Sequence, residues 1–198
     1  MESTELKLAG KRALVLCEQA ALRESLAAAL ASDGATVSSD AADVDVLVVV
    51  SDHHADSESN VSEHAARLDA SASAMAERGH GRVIQILFTC ATQAESDAPR
   101  LHMRTAQWRS LATTCARQHA AAGVTVNLIE LALVAGVNDS DALAAEVLRH
   151  VPSARVVTPD EVAAAVLFLA APQAAYMTGA RLPVSGGAGL GLYPEQLR

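Results

Sequence analysis

Five short apolar runs recur along the chain, at Ala13–Leu16, Val46–Val50, Val83–Leu87, Val124–Ile129 and Leu182–Val184. Ala13–Leu16 and Val46–Val50 hold no polar residue, unlike a strand with one wet face. An unbroken run of this length suits a strand covered on both faces, the usual condition of a parallel sheet. Helical patterns lie between the runs. Leu22, Leu26 and Leu30 share one face of the first, and Gly34 suits its C-terminal stop. Val61, Ala65, Leu68, Ala72 and Met75 form a second stripe, and Trp108, Leu111, Ala112, Cys115 and Ala116 a third. At Thr158-Pro159-Asp160-Glu161, Thr158 can cap, Pro159 fits the first turn and Glu161 completes a capping box ahead of Val162, Val166 and Leu169. Strands alternating with helices predict a layered α/β domain.

A chain of 198 residues is long enough for one substantial core, and no linker or internal repeat divides it. Aromatic residues are only 3%, so Ala, Val and Leu must build that core. The net charge of -8 disfavours nucleic acid and anionic membrane surfaces as partners. No apolar run approaches the ~20 residues that span a bilayer. The start, MESTELKLAGKR, lacks the apolar stretch of a secretory leader. Cys17, Cys90 and Cys115 are odd in number and far apart, which suits reduced thiols in the cytoplasm and no zinc site.

The stretch ALVLCEQAALRESLAAAL, residues 13–30, has the order of a nucleotide-binding unit: strand, turn, helix. In such units the turn carries glycines, so that backbone N–H groups at the helix start approach a phosphate. Here the turn is Cys17-Glu18-Gln19-Ala20-Ala21-Leu22-Arg23, without a glycine.

The C-terminal third carries a resemblance. TPDEVAAAVLFLAAPQAAYMTGARLPVSGG, residues 158–187, resembles the closing segment of short-chain dehydrogenases/reductases: a capped helix, a Thr-Gly turn and a last strand ending in paired glycines. ARQHAAAGVTVNLIE (116–130) is similar to the family's fifth helix and sixth strand, GHGRVIQI (79–86) to its fifth strand, and LAGKRALV (8–15) to its first. The resemblance implies a Rossmann-like doubly wound parallel sheet with helices on both faces. It further implies a single degenerate domain over residues 1–198 with a C-terminal tail at 188–198. Only a few residues separate ATVSS (35–39) from DVLVVV (45–50), so the region from the second to the fourth strand is expected to be shortened, with loss of an edge strand.

The family's functional motifs map onto unlike residues. Its Thr-Gly-x-x-x-Gly-x-Gly loop falls on Leu16, Cys17, Ala21 and Arg23, and its Asn-Asn-Ala-Gly motif on Val49-Val50-Ser51-Asp52. Its catalytic Ser falls on Phe88, and its Tyr-x-x-x-Lys on Leu101 and Thr105; Asn60 is the remnant of the tetrad asparagine. In the family the tyrosine is the acid or base at the substrate oxygen, the lysine tunes it and binds ribose, and the serine orients the carbonyl. Leu, Thr and Phe supply none of this. The resemblance therefore implies no catalytic residues and no cofactor in this chain, with NAD(P) held by an active paralogue in a hetero-oligomer, most simply a heterotetramer. Helices near 60–78 and 100–121, and the last strand with its preceding helix, would form the interfaces. In this respect the chain is similar to the inactive subunit of two-subunit hydroxyacyl-CoA dehydrogenases, such as that of anaerobic toluene (benzylsuccinate) degradation, which points to an acyl-CoA-type alcohol or ketone.

Two other readings stay open: a homo-oligomer that binds a ligand or regulates, and an oxidoreductase with displaced groups such as Cys90, Asn60 or His102. Ser51-Asp52-His53-His54-Ala55-Asp56 reads as a solvated loop, because adjacent histidines point apart and no second ligand cluster matches them. Cys115 reads as packing and Arg23 as a solvated helix residue. The tail GLGLYPEQLR (189–198) carries Leu190, Leu192, Tyr193 and Leu197, which suit packing within the chain or across a subunit boundary.

Overall fold

The computed structural model describes residues 7–40, 43–51, 58–88, 99–132, 134–135 and 151–190. All five apolar runs are strands: β1 (Arg12–Leu16), β3 (Val46–Ser51), β4 (Gly81–Phe88), β5 (Val124–Leu131) and β6 (Arg181–Val184). A sixth, β2 (Thr36–Val37), has only two residues, too few to register as an apolar run. The sheet order is β2-β1-β3-β4-β5-β6, and every pair is parallel. The expected shortening therefore appears at the β2 side, where the sheet ends among the described residues on a two-residue strand.

Among the described residues four α-helices cover the two faces: α1 (Ala20–Ser32), α2 (Glu58–Glu77), α3 (Pro99–His119) and α4 (Pro159–Ala170). Leu22, Leu26 and Leu30 of α1 and Val162, Val166 and Leu169 of α4 pack with Val48, Ile84, Ile86 and Ile129 on one face. Leu68, Ala72 and Met75 of α2 and Ala112, Cys115 and Ala116 of α3 pack with Leu47, Val49, Val83 and Val126 on the other. Adjacent residues of each central strand thus enter different cores, which is why both faces of these strands are largely apolar.

Local chemistry ends and joins the elements as the sequence predicts. The Thr158 side chain accepts from the Glu161 N–H at 3.3 Å, and the Glu161 carboxylate accepts from the Thr158 N–H at 2.9 Å, closing the capping box of α4. Gly34, just beyond α1, has φ 98°, the left-handed form that favours glycine. Gly123 has φ 77°, and a Cβ there would meet the Gly79 carbonyl at 2.4 Å. The turns leading into β4 and β5 therefore touch, and the two strands start in register at Gly81 and Val124.

Candidate functional site

The chain leaves β1 for β2 on one side of the sheet and returns to β3 on the other. That reversal opens a crevice at the C-terminal ends of β1 and β3, where open α/β sheets bind ligands. The turn Cys17–Gln19 and the first turn of α1 form one wall. Cys17 is buried, and its Sγ lies 3.3 Å from Gln19 Oε1. The Arg23 guanidinium folds back and donates from Nη1 to the Cys17 carbonyl at 2.9 Å. Arg23 is exposed, as the sequence suggests, but it also ties the helix to the turn before it. Gln19, the residue before α1, makes no side-chain cap. Ala21 is the exposed neighbour of buried Leu22 in this first turn.

Beyond β3 lies β4, and α3 packs on the face opposite α1. Phe88, the last residue of β4, is buried in the core shared with α1 and α4. Thr105 is buried on α3, which covers the opposite face of the sheet. These two sequence-selected positions therefore end on different sides of the sheet. Leu101 also lies on α3, and Asn60 on α2. Residues 52–57, Cys90 and the tail from residue 191 lie outside the described residues.

Beneath α3 the strands carry buried polar groups that periodicity did not single out. Gln85 is fully buried and donates from Nε2 to Ser51 Oγ at 3.3 Å. Gln85 Oε1, Thr105 Oγ1 and Trp108 Nε1 are buried without a hydrogen-bond partner. The Trp108 ring packs with Leu87 and Leu128, and the His64 ring meets it edge-on with centroids 5.5 Å apart. A buried donor or acceptor left unpaired costs ~1–3 kcal/mol, so these atoms would gain by meeting a polar guest. Among the described residues no three His, Cys, Asp or Glu side chains gather as metal ligands.

Two networks fix the strands around this region. Glu130 of β5 accepts from Arg109 of α3 at 2.8 Å and from Arg181 of β6 at 2.8 and 3.0 Å. Burial alone would raise the Glu130 pKa, but the two guanidinium groups outweigh it and hold the carboxyl below its ordinary range. Asn127 donates to the Met177 carbonyl at 2.7 Å and accepts from the Ala180 N–H at 3.0 Å. Thr178 Oγ1 accepts from the Val126 N–H at 3.1 Å. The Thr-Gly turn thus has a physical task, the docking of β6 onto β5. Charged Glu130, directly after the apolar run Val124–Ile129, was the one sequence signal for the first network.

Comparison with known proteins agrees with this architecture. The family model described as enoyl-(acyl carrier protein) reductase, of the short-chain dehydrogenase/reductase type, matches residues 26–189. An acetoacetyl-CoA reductase of Allochromatium vinosum is 36% identical over 118 residues, covering 57% of this chain and 47% of the relative. A 3-oxoacyl-(acyl-carrier-protein) reductase, FabG, of Vibrio harveyi is 35% identical over 118 residues, covering 57% and 48%. The chain spans about half the length of the curated relatives it matches. A solved gluconate 5-dehydrogenase of Burkholderia cenocepacia, in complex with NADP and tartrate, has the same fold at TM-score 0.70. It is 18% identical, and the match covers 95% of this chain and 98% of that one. No helix among the described residues is long and apolar enough to cross a membrane.

Proposed function

The chain belongs to the short-chain dehydrogenase/reductase family, and on that premise we propose that it is a non-catalytic subunit of an NAD(P)-dependent dehydrogenase complex. The observation that carries this reading is the turn after β1. A dinucleotide needs bare backbone there, for a tight bend and for close approach to pyrophosphate. Cys17, Ala21 and Arg23 put side chains at those positions, and Arg23 already holds the Cys17 carbonyl. The turn does not fit a dinucleotide. Phe88, Leu101 and Thr105, in place of Ser, Tyr and Lys, provide no group that could exchange a proton with a carbonyl oxygen at neutral pH.

The active partner would be a paralogue with the glycine loop and the Tyr-x-x-x-Lys pair intact, and it would hold the NAD(P). The complex would act in the cytoplasm on an alcohol or ketone. The names of the curated relatives, an acetoacetyl-CoA reductase and 3-oxoacyl-carrier reductases, favour a 3-oxoacyl or 3-hydroxyacyl thioester. α2 with α3, and α4 with β6, are the candidate contacts. Phe168 of α4 and Tyr176 are large apolar side chains left exposed, and β6 ends the sheet among the described residues. Neither nucleic acid nor membrane is expected as a partner.

Gentle affinity purification from the source cells, followed by native mass spectrometry, tests the proposal. A stoichiometric companion carrying the intact motifs supports it. A clean homo-oligomer without a companion overturns it. That second outcome favours a homo-oligomer that binds a small polar ligand, for which the unpartnered atoms of Gln85, Thr105 and Trp108 are the supporting observation. Turnover by the isolated chain, lost in His102→Ala, would instead favour an oxidoreductase with displaced catalytic groups.

A further inference from the structure

At the opposite end of the sheet, where β1, β3 and β4 begin, a hollow of about 80 Å³ opens beside the end of α4. That is several times the space one water requires. Lys7, Lys11 and Arg82 line it, together with Asp45, His80 and Ala170. Arg82 is half-buried on β4. Its Nη1 donates to the Gly81 carbonyl at 2.9 Å, its Nε is buried without a partner, and no carboxylate among the described residues pairs with it. Lys7 and Lys11 make no ion pair among the described residues. The one carboxylate in the hollow is already engaged. Asp45 Oδ2 accepts from the Arg12 N–H at 2.8 Å, and Oδ1 meets His80 Nε2 at 2.6 Å.

Three cations therefore face one occupied carboxylate. The C-terminal end of α4 adds about half a negative charge nearby, which leaves the balance positive. An unpaired guanidinium out of bulk water is costly, and a doubly charged oxyanion is the guest that relieves it. Burial lowers the Arg82 pKa, as it must where no anion compensates. We propose that this hollow is a binding site for a phosphate-class oxyanion, with the Arg82 guanidinium and the ammonium groups of Lys7 and Lys11 as its cationic partners. The site is remote from the β1–β3 crevice and does not depend on the function proposed for it.

The test is calorimetric titration of inorganic phosphate into the purified full chain, with sodium chloride matching the ionic strength. Saturable binding is expected, weakened at least tenfold in Arg82→Met and in the double variant Lys7→Gln/Lys11→Gln. The lysines lie at the rim, so the double variant serves if Arg82→Met fails to fold. Phosphate heat no larger than that of chloride, or an unchanged affinity in the folded variants, overturns the proposal. Glycerol phosphate in a second titration separates the sources. Affinity equal to that of the free ion assigns a terminal phosphate of a larger molecule, and affinity tenfold weaker assigns the free ion.

Discussion

Glu130 shows how a single charge can decide local stability. Only a tenth of its side chain is exposed, yet it holds two arginines from different elements. Glu130→Gln should destabilise the fold by roughly 2 kcal/mol, because it leaves two guanidinium groups facing a neutral amide. Urea unfolding at pH 7 measures this, and an unchanged midpoint would refute it. Cys115 makes the opposite point. Burial, with the Asp69 charge behind it, pushes the thiol up to about 11, so little thiolate exists at neutral pH. Iodoacetamide at pH 8 should leave Cys115 unmodified in the folded chain and alkylate it after denaturation, as peptide mass mapping would show. The burial of Cys115 was legible in the sequence, because it sits at helical spacing among apolar residues. The tasks of Asn127 and Glu130 were not. Their partners stand 21 residues away at Arg109 and about 50 away at Met177, Ala180 and Arg181, and no local period records such contacts.

Elements with strong local signals followed their sequence. The capping box of α4 is one. Thr158→Ala should cost about 1 kcal/mol, measured as a shift of the thermal midpoint. Arg155 and the Thr158 N–H hold the Glu161 carboxyl down at about 2 against an ordinary value near 4.5. A carboxyl with a depressed folded pKa stabilises fully above its unfolded value and loses that contribution as pH falls through the folded one. Stability should therefore fall between about pH 4.5 and 2, and Glu161→Gln should flatten part of that fall in an acid titration followed by circular dichroism. Gly123→Ala should be costlier than either, by roughly 2 kcal/mol or more, since its Cβ would strike the Gly79 carbonyl in a left-handed turn. β2 escaped detection because two residues cannot show a period. Its place is set by pairing with Arg12 and Ala13, and pairing is a tertiary fact.

At the scale of the whole molecule the family architecture is kept. If the proposed role is right, restoring single groups will not restore an enzyme. The triple variant Phe88→Ser/Leu101→Tyr/Thr105→Lys should show no turnover with NADH or NADPH, because the turn at Cys17, Ala21 and Arg23 is unchanged and Phe88 faces the other core from Thr105. Any cofactor oxidation above the unmodified chain would count against that reading. The all-parallel order of the sheet also sets a schedule. No two paired strands are joined by a hairpin, so each pairing must first close a long loop. β4 and β5, with eight paired positions, are separated by α3, and β6 completes its pairing from about 50 residues further along. Folding should therefore be slow for a chain of this size, with apolar strands unpaired meanwhile. The interval in which this chain most needs company is its synthesis, while β6 is still being made.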